Sequence, residues 1–205
     1  GGLFRMILST ESLSLFVLLL FFSYLIGSIS FGLLITKALR LGDIRSIGSG
    51  NTGATNVLRT GSKSAALLTL ILDASKGALV VYFSLNYYDM FSTSCSAVMV
   101  FLGHLFPLWQ KFKGGKGVAT LLGIILVFSI KTGILTCFIW LLMAIIYKKS
   151  SFSALSSFLL VPLWLWVFDT SYFIFPSMIM ITLTFLKHKE NVKRLFMGTE
   201  PDIKF

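Results

Sequence analysis

The chain has 205 residues, of which 56% are hydrophobic, 15% aromatic and only 13% charged, with a mean hydropathy of +0.87. These values exclude an ordinary soluble domain and suit one polytopic membrane domain over 1–205. The formal net charge of +10 would suggest nucleic acid in a soluble protein, but most basic residues here stand in short segments between apolar runs, a pattern of membrane topology.

Gly1 and Gly2 look like a remnant ahead of Met6, which reads as the natural start. The first apolar run, 13–36, is long and lacks a small-residue cleavage site, so it reads as a retained helix and not as a signal peptide. Further apolar segments follow at 64–85, 95–109, 117–130, 132–147, 152–168 and 171–186. A helix needs roughly 20 residues to cross about 30 Å of hydrocarbon, so several of these must borrow flanking residues or thin the bilayer. The expected fold is all-α with about seven transmembrane helices. Five spans is the competing count, because the last four segments are closely spaced and two could be re-entrant.

With the N-terminus outside and seven crossings, the inner segments hold Lys37, Arg40, Arg45, Arg59, Lys63, Lys111, Lys113, Lys116, Lys148, Lys149, Lys187, Lys189, Lys193, Arg194 and Lys204. The outer side holds Arg5 and Lys131, and Lys76 is left inside the second span. Fifteen against two is the asymmetry of cytoplasmic loops, so the C-terminus is expected in the cytoplasm. Three polar clusters, 40–63, 110–120 and 187–204, then share the cytoplasmic face. Cys95 and Cys137 fall in or beside apolar segments, and carboxylates are few and scattered, so neither a disulfide framework nor a metal site is expected.

The first cluster contains Gly48-Ser49-Gly50-Asn51-Thr52-Gly53-Ala54-Thr55-Asn56, with Arg59 beyond it. Gly48, Gly50 and Gly53 formally match a dinucleotide fingerprint, but that fingerprint works only after a strand in a βαβ unit, and here a membrane helix precedes it. What survives is a loop whose N–H groups can hold an anion, with Ser49, Asn51, Thr55 and Asn56 as compact hydrogen-bonding groups and Arg59 as a cation for phosphate. The bland alternative is a plain turn between helices.

The second cluster runs from His104 and Pro107 through Gly114, Gly115, Lys116 and Gly117 into an apolar helix. It is not a nucleotide P-loop, because Gly117 stands where a magnesium-binding hydroxyl is required. Its physics is related: glycines expose N–H groups, the helix dipole favours an anion and Lys116 adds a charge. Lys113 suits a lipid headgroup equally well, and His104 suits packing better than catalysis. In the third cluster, His188 and Asn191 are three apart and share one helical face, ahead of Gly198-Thr199-Glu200. Asp73 and Lys76, at i and i+3 inside the second span, read as a pair that neutralises itself.

These residues together resemble the bacterial acyl-phosphate:glycerol-3-phosphate acyltransferases of the PlsY type. The resemblance rests on Gly27-Ser28-Ile29-Ser30-Phe31-Gly32, Gly48 to Arg59, Asp73 to Gly77, Gly103 to Thr120 and His188 to Glu200, in that order. It implies an inner-membrane enzyme that moves a fatty acyl group from acyl phosphate to the 1-hydroxyl of glycerol 3-phosphate, giving lysophosphatidic acid. By motif position it implies catalytic roles for Ser49, Arg59, Lys116, His188 and Asn191. Gly48, Gly50, Asn51, Gly53, Thr55, Asn56, Gly114, Gly115 and Gly117 are the expected substrate-binding residues. Many members carry Pro where this chain has Ser30, a departure that bears on the bend of the first helix. No cofactor is expected, and the chain is expected to act as a monomer among membrane lipids. Two rival readings stand beside it: an organic-phosphate transporter, which needs paired broken helices at mid-membrane, and a non-catalytic lipid-binding scaffold.

Overall fold

The computed structural model describes residues 10–203, and among these every regular element is a helix. Arg5 and Lys204, assigned above to opposite faces, lie outside the described residues, as do Gly1, Gly2 and Met6. The first apolar run is broken: α1 (Thr10–Gly27) and α2 (Phe31–Ala38) meet at a bend of 40°. A break in a helix leaves carbonyls without intrahelical partners, and these must be satisfied from elsewhere. Lys76 Nζ donates to the Ile29 carbonyl at 2.6 Å and Trp109 Nε1 to the Ser28 carbonyl at 3.0 Å. Gln110 Nε2 donates to Ser30 Oγ, so the residue that departs from the family pattern is itself an anchor of the bend.

After the short α3 (Ala54–Leu58), α4 (Lys63–Tyr87) begins at Ser62, whose Oγ accepts from the Ala65 N–H at 3.2 Å. Helix α5 (Met90–Leu105) starts at Asp89, whose carboxylate accepts from the Ser92 N–H at 2.8 Å. Both are ordinary caps for otherwise unpaired donors. There follow α6 (Val118–Phe128), α7 (Ile130–Tyr147), α8 (Ser150–Leu159), α9 (Val161–Val167), α10 (Ile174–Lys187) and α11 (Lys189–Phe196).

Four stretches are long and apolar enough to cross a membrane alone: Lys63–Tyr87, Met90–Gln110, Ile130–Tyr147 and Ser150–Val167; the bent α1–α2 pair makes a fifth. The other two apolar segments are helical but short. Helix α6 has 11 residues and α10 has 14, about 16 and 21 Å at about 1.5 Å per residue, against about 30 Å of hydrocarbon. By length and composition, up to five stretches among the described residues are therefore long enough to cross, beside the expected count of seven and its competitor of five. Helix α6 is short because it is an interior element, with Leu121, Ile124 and Ile125 fully buried. It crosses α4 closely enough that a Cβ on Gly123 would stand 2.0 Å from the Ala74 carbonyl oxygen, which is how helices pack without a hydrophobic drive between them.

One core holds the long helices together, built from Val81, Val100, Phe101, Phe158, Leu165 and Met180, with Phe128 stacked on Phe173 at 3.9 Å. Outward positions such as Phe22, Ile71, Phe138 and Phe175 are exposed, the apolar belt a bilayer covers. At one end of the bundle the segments 47–59, 113–117, 148–151 and 188–203 meet. Thr55 Oγ1 is 3.1 Å from Ser150 Oγ, and the Ile203 N–H donates to the Lys148 carbonyl at 2.7 Å. Lys131 lies elsewhere, 5.5 Å over the Phe168 ring.

Candidate active site

Asn56 organises the glycine-rich loop. Its buried Nδ2 donates to the carbonyls of Ile44 at 2.6 Å, Asn51 at 2.8 Å and Ile47 at 3.2 Å. Its Oδ1 accepts from the Ser49 N–H at 3.2 Å and from Arg59 Nη1 at 3.1 Å. One amide thus folds the loop and aims Arg59 across it. Gly48 is needed for this closure: its φ is +54°, and a Cβ there would sit 2.4 Å from Arg59 Nη1. Asn56 was expected to bind substrate, but its donors and acceptor are engaged by the loop itself. Asn51 is likewise turned inward, with Oδ1 accepting from the Thr52 N–H at 2.8 Å. Gly50 is tied into the turn through its N–H, which donates to the Ile47 carbonyl, and Gly53 serves as the N-cap of α3. Ser49, Thr55 and Arg59 are exposed on this wall.

The expected anion-binding amides at Gly114 and Gly115 need correction. Both N–H groups close the end of α5, donating to the carbonyls of Leu105 at 3.2 Å and His104 at 3.1 Å. Their smallness serves packing: a Cβ on Gly115 would stand 2.1 Å from His104 Nε2. Gly117 is the left-handed N-cap of α6, and no side chain caps the first turn that follows. The donors left at this terminus are those of that turn, next to Lys116.

Lys116 Nζ donates to Asn191 Oδ1, which joins the second cluster to the third. Asn191 is buried and oriented from behind, its Nδ2 donating to Glu200 Oε1 at 2.6 Å. Glu200 is buried as well, and also accepts from Ser151 Oγ at 2.7 Å and Arg194 Nε at 2.7 Å. Burial raises the Glu200 carboxyl, but the hydrogen bonds from Ser151, Asn191 and Arg194 outweigh it and hold the group below its ordinary value. Lys149 donates to the Glu200 carbonyl and pairs with Asp202 at 2.7 Å, fastening the C-terminal strap to the head of α8. Burial pushes the Lys116 ammonium down to about 8; Glu200 opposes this, while Arg194 and Arg59 reinforce it. That Arg59 bears on Lys116 brings all three clusters into one electrostatic neighbourhood.

His188 and Asn191 do not lie on one continuous helix. His188 is the junction between α10 and α11. Its Nδ1 stands 2.8 Å from the Thr184 carbonyl, and since a carbonyl only accepts, Nδ1 carries the hydrogen and Nε2 the lone pair. Burial pushes the imidazole down to about 4, with the Lys116 charge adding to that. The ring is therefore neutral at physiological pH. Beneath the site, Lys76 Nζ and Asp73 Oδ1 pair at 2.8 Å, as expected, and His104 Nδ1 approaches the same oxygen at 3.7 Å. His104 is buried between this pair and Gly115, a packing position.

Glu200, Lys149, Ser150 and Ser151 carried no expected role: Lys149 counted only as an inner basic residue, and Glu200 only as the end of the third motif. Their signal was a Lys-Lys-Ser-Ser run heading an apolar segment, and a carboxylate two residues beyond a glycine. Among the described residues no group of His, Cys, Asp and Glu could hold a metal.

The class these features define is an integral-membrane, all-helical protein with a composite cationic and amide site at one end of its bundle. A family model described as glycerol-3-phosphate acyltransferase matches residues 17–198. Curated proteins of that name are similar: one from Mesorhizobium japonicum is 45% identical over 91% of this chain and 95% of its own length, and one from Dinoroseobacter shibae is 46% identical over 88% and 89%. Among solved structures, PlsY (YgiH), an integral membrane glycerol 3-phosphate acyltransferase, superposes with a TM-score of 0.88 in its glycerol 3-phosphate form, at 32% identity over 92% of this chain and 96% of that one. Its lysophosphatidic acid form gives 0.84. The chain belongs to the glycerol-3-phosphate acyltransferase family.

Proposed function

We propose that the chain carries out its family's acyl transfer with acyl phosphate as donor, to the 1-hydroxyl of glycerol 3-phosphate, at the cytoplasmic face of the bacterial inner membrane. The observation that carries this is the linkage Lys116–Asn191–Glu200, which holds a cation, an amide and a carboxylate against the wall bearing Arg59 and Ser49. Both substrates carry phosphate, and Arg59 and Lys116 supply charge for two such groups. The acceptor hydroxyl oxygen attacks the donor carbonyl carbon, the anhydride C–O bond breaks and phosphate leaves. The hydroxyl proton goes to a donor phosphate oxygen. Ser49 and nearby N–H groups stabilise the developing oxyanion. His188 accepts the hydroxyl at Nε2 and, with Asn191, orients it. Neither histidine has an acidic partner five residues on, since residues 109 and 193 are Trp and Lys, and Ser49 has no adjacent base, so catalysis rests on positioning and charge stabilisation.

The topology is part of the same reading. Four loops rich in Lys and Arg share one end while Lys131 lies against Phe168, which supports a path of seven legs with α6 and α10 as its short ones, the N-terminus outside and the C-terminus inside. The acyl tail lies in a groove open to the bilayer, and the chain works as a monomer without a cofactor.

The test is purified protein in detergent with acyl phosphate and radiolabelled glycerol 3-phosphate, scored for lipid product and released phosphate. Product with acyl phosphate but not with acyl-CoA is expected. Binding of either substrate without product would assign the chain to transport or to a scaffold.

A further inference from the structure

We propose that a second anion site, behind the glycine-rich loop, takes the phosphate headgroup of an anionic membrane phospholipid. The site is a cavity of about 680 Å³ lined by Lys37, Arg40, Asp43, Arg45 and Trp109. None of the residues expected to handle the acyl-transfer substrates lines it.

Three cations face one carboxylate in this cavity, and that carboxylate is taken. Asp43 receives Arg45 through Nε at 2.9 Å and Nη2 at 2.7 Å, which leaves Lys37 and Arg40 without an ion-pair partner among the described residues. Arg40 is held in the left-handed region, with φ of +53°, an uncommon conformation for a side chain of its size that fixes it in the turn after α2. Gln110 supplies a further polar group. Its Nε2 is engaged by Ser30, which ties this wall of the cavity to the bend between α1 and α2.

The surroundings point to a lipid and not to a soluble anion. The cavity floor includes Leu33 of α2, and on the same helix and just past it Leu34 and Leu39 are exposed, so the apolar flank that a bilayer covers runs up to the cations. Trp109 anchors its indole N–H on the Ser28 carbonyl and leaves 62% of itself exposed beside the cavity, the placement of an interfacial aromatic. Apolar floor, aromatic edge and unpaired cations in that order match acyl chain, glycerol level and phosphate.

The site is also coupled to the loop it backs. Asn56, which holds Ser49 and Arg59 in place, donates to the carbonyls of Ile44 and Ile47 on either side of Arg45 and Ser46. A headgroup held by Lys37 and Arg40 thus lies beside the Asp43–Arg45 pair, in the turn that Asn56 ties down from the other side.

The probe is phosphatidylglycerol against phosphatidylcholine, counted on the full chain by native mass spectrometry after extraction from mixed nanodiscs. The wild type is expected to retain phosphatidylglycerol preferentially. Lys37→Gln with Arg40→Gln should weaken that preference about 30-fold, and each single variant about fivefold. Lys131→Gln, far from the cavity, should leave it unchanged. The single variants keep the test decisive if the double variant fails to fold, as a thermal transition would reveal. Equal retention of the two lipids by the wild type, or an unchanged preference in both single variants, would overturn the proposal. Displacement of the lipid by millimolar inorganic phosphate would overturn it too, reassigning the cavity to a free anion.

Discussion

The division of labour between His188 and the donor phosphate is open to a single substitution, His188→Gln. The imidazole is buried, tethered through Nδ1–H to the Thr184 carbonyl at 2.8 Å and pushed down to about 4. A base that weak lies about three units below neutral pH, a poor match for general-base work, for which the best pKa lies near the working pH. Glutamine fills nearly the same space and can place an oxygen close to the position of Nε2, but it cannot take a proton. If His188 only orients the hydroxyl, the substitution removes one neutral hydrogen bond's worth of positioning, about 1 to 1.5 kcal/mol, and lowers kcat/KM about five- to tenfold. If His188 is the base, the loss should reach the 10²- to 10⁴-fold typical of general-base removal. Phosphate release, followed on monodisperse protein with a wild-type thermal transition, separates the two. A loss beyond about a hundredfold in folded His188→Gln refutes donor-phosphate proton transfer.

Lys116 must be protonated to hold phosphate, and burial has brought it down to about 8. Its contribution is therefore present below about 8 and lost as pH rises through that value, so kcat/KM should show a basic limb there that disappears in Lys116→Arg. Lys116→Ala should lose about 10²- to 10³-fold in kcat, the scale of removing one electrostatic stabiliser, measured in the same phosphate-release assay. Gly115→Ala drives a methyl into the His104 ring and should lower the thermal transition and shift Lys116, read as a raised KM. Asp73→Leu alone should destabilise by about 3–5 kcal/mol by leaving the Lys76 charge unpaired; Asp73→Asn, which keeps a hydrogen-bond acceptor for Lys76 and leaves its bond to the Ile29 carbonyl in place, should cost less, and equal thermal transitions for Asp73→Leu and wild type would count against a self-neutralising pair.

The all-helical membrane fold was legible because every apolar run is long on the scale of a helix, and the Asp73–Lys76 pair because i and i+3 meet on one face. Crossing number was less legible: hydropathy marks seven apolar segments, but it does not say whether a helix as short as α6 crosses the bilayer by itself. Composition also drew attention to loops that meet at one end of the bundle. The internal partners of Gly115 and Asn56 were not legible, since a glycine beside Lys116 looks alike whether its N–H meets an anion or the end of α5. The participation of Glu200 depends on a strap that returns to Asn191 and Ser151, a contact between distant segments that no local spacing encodes.

The break in α1–α2 carries a consequence for how the chain is made. The groups that satisfy residues 28–30 come from Lys76, Trp109 and Gln110, the last two some 80 positions later in the chain. A nascent first helix has none of them, and carbonyls left without partners favour the straight, internally bonded helix at that stage. The bend then marks the arrival of α4 and the turn after α5.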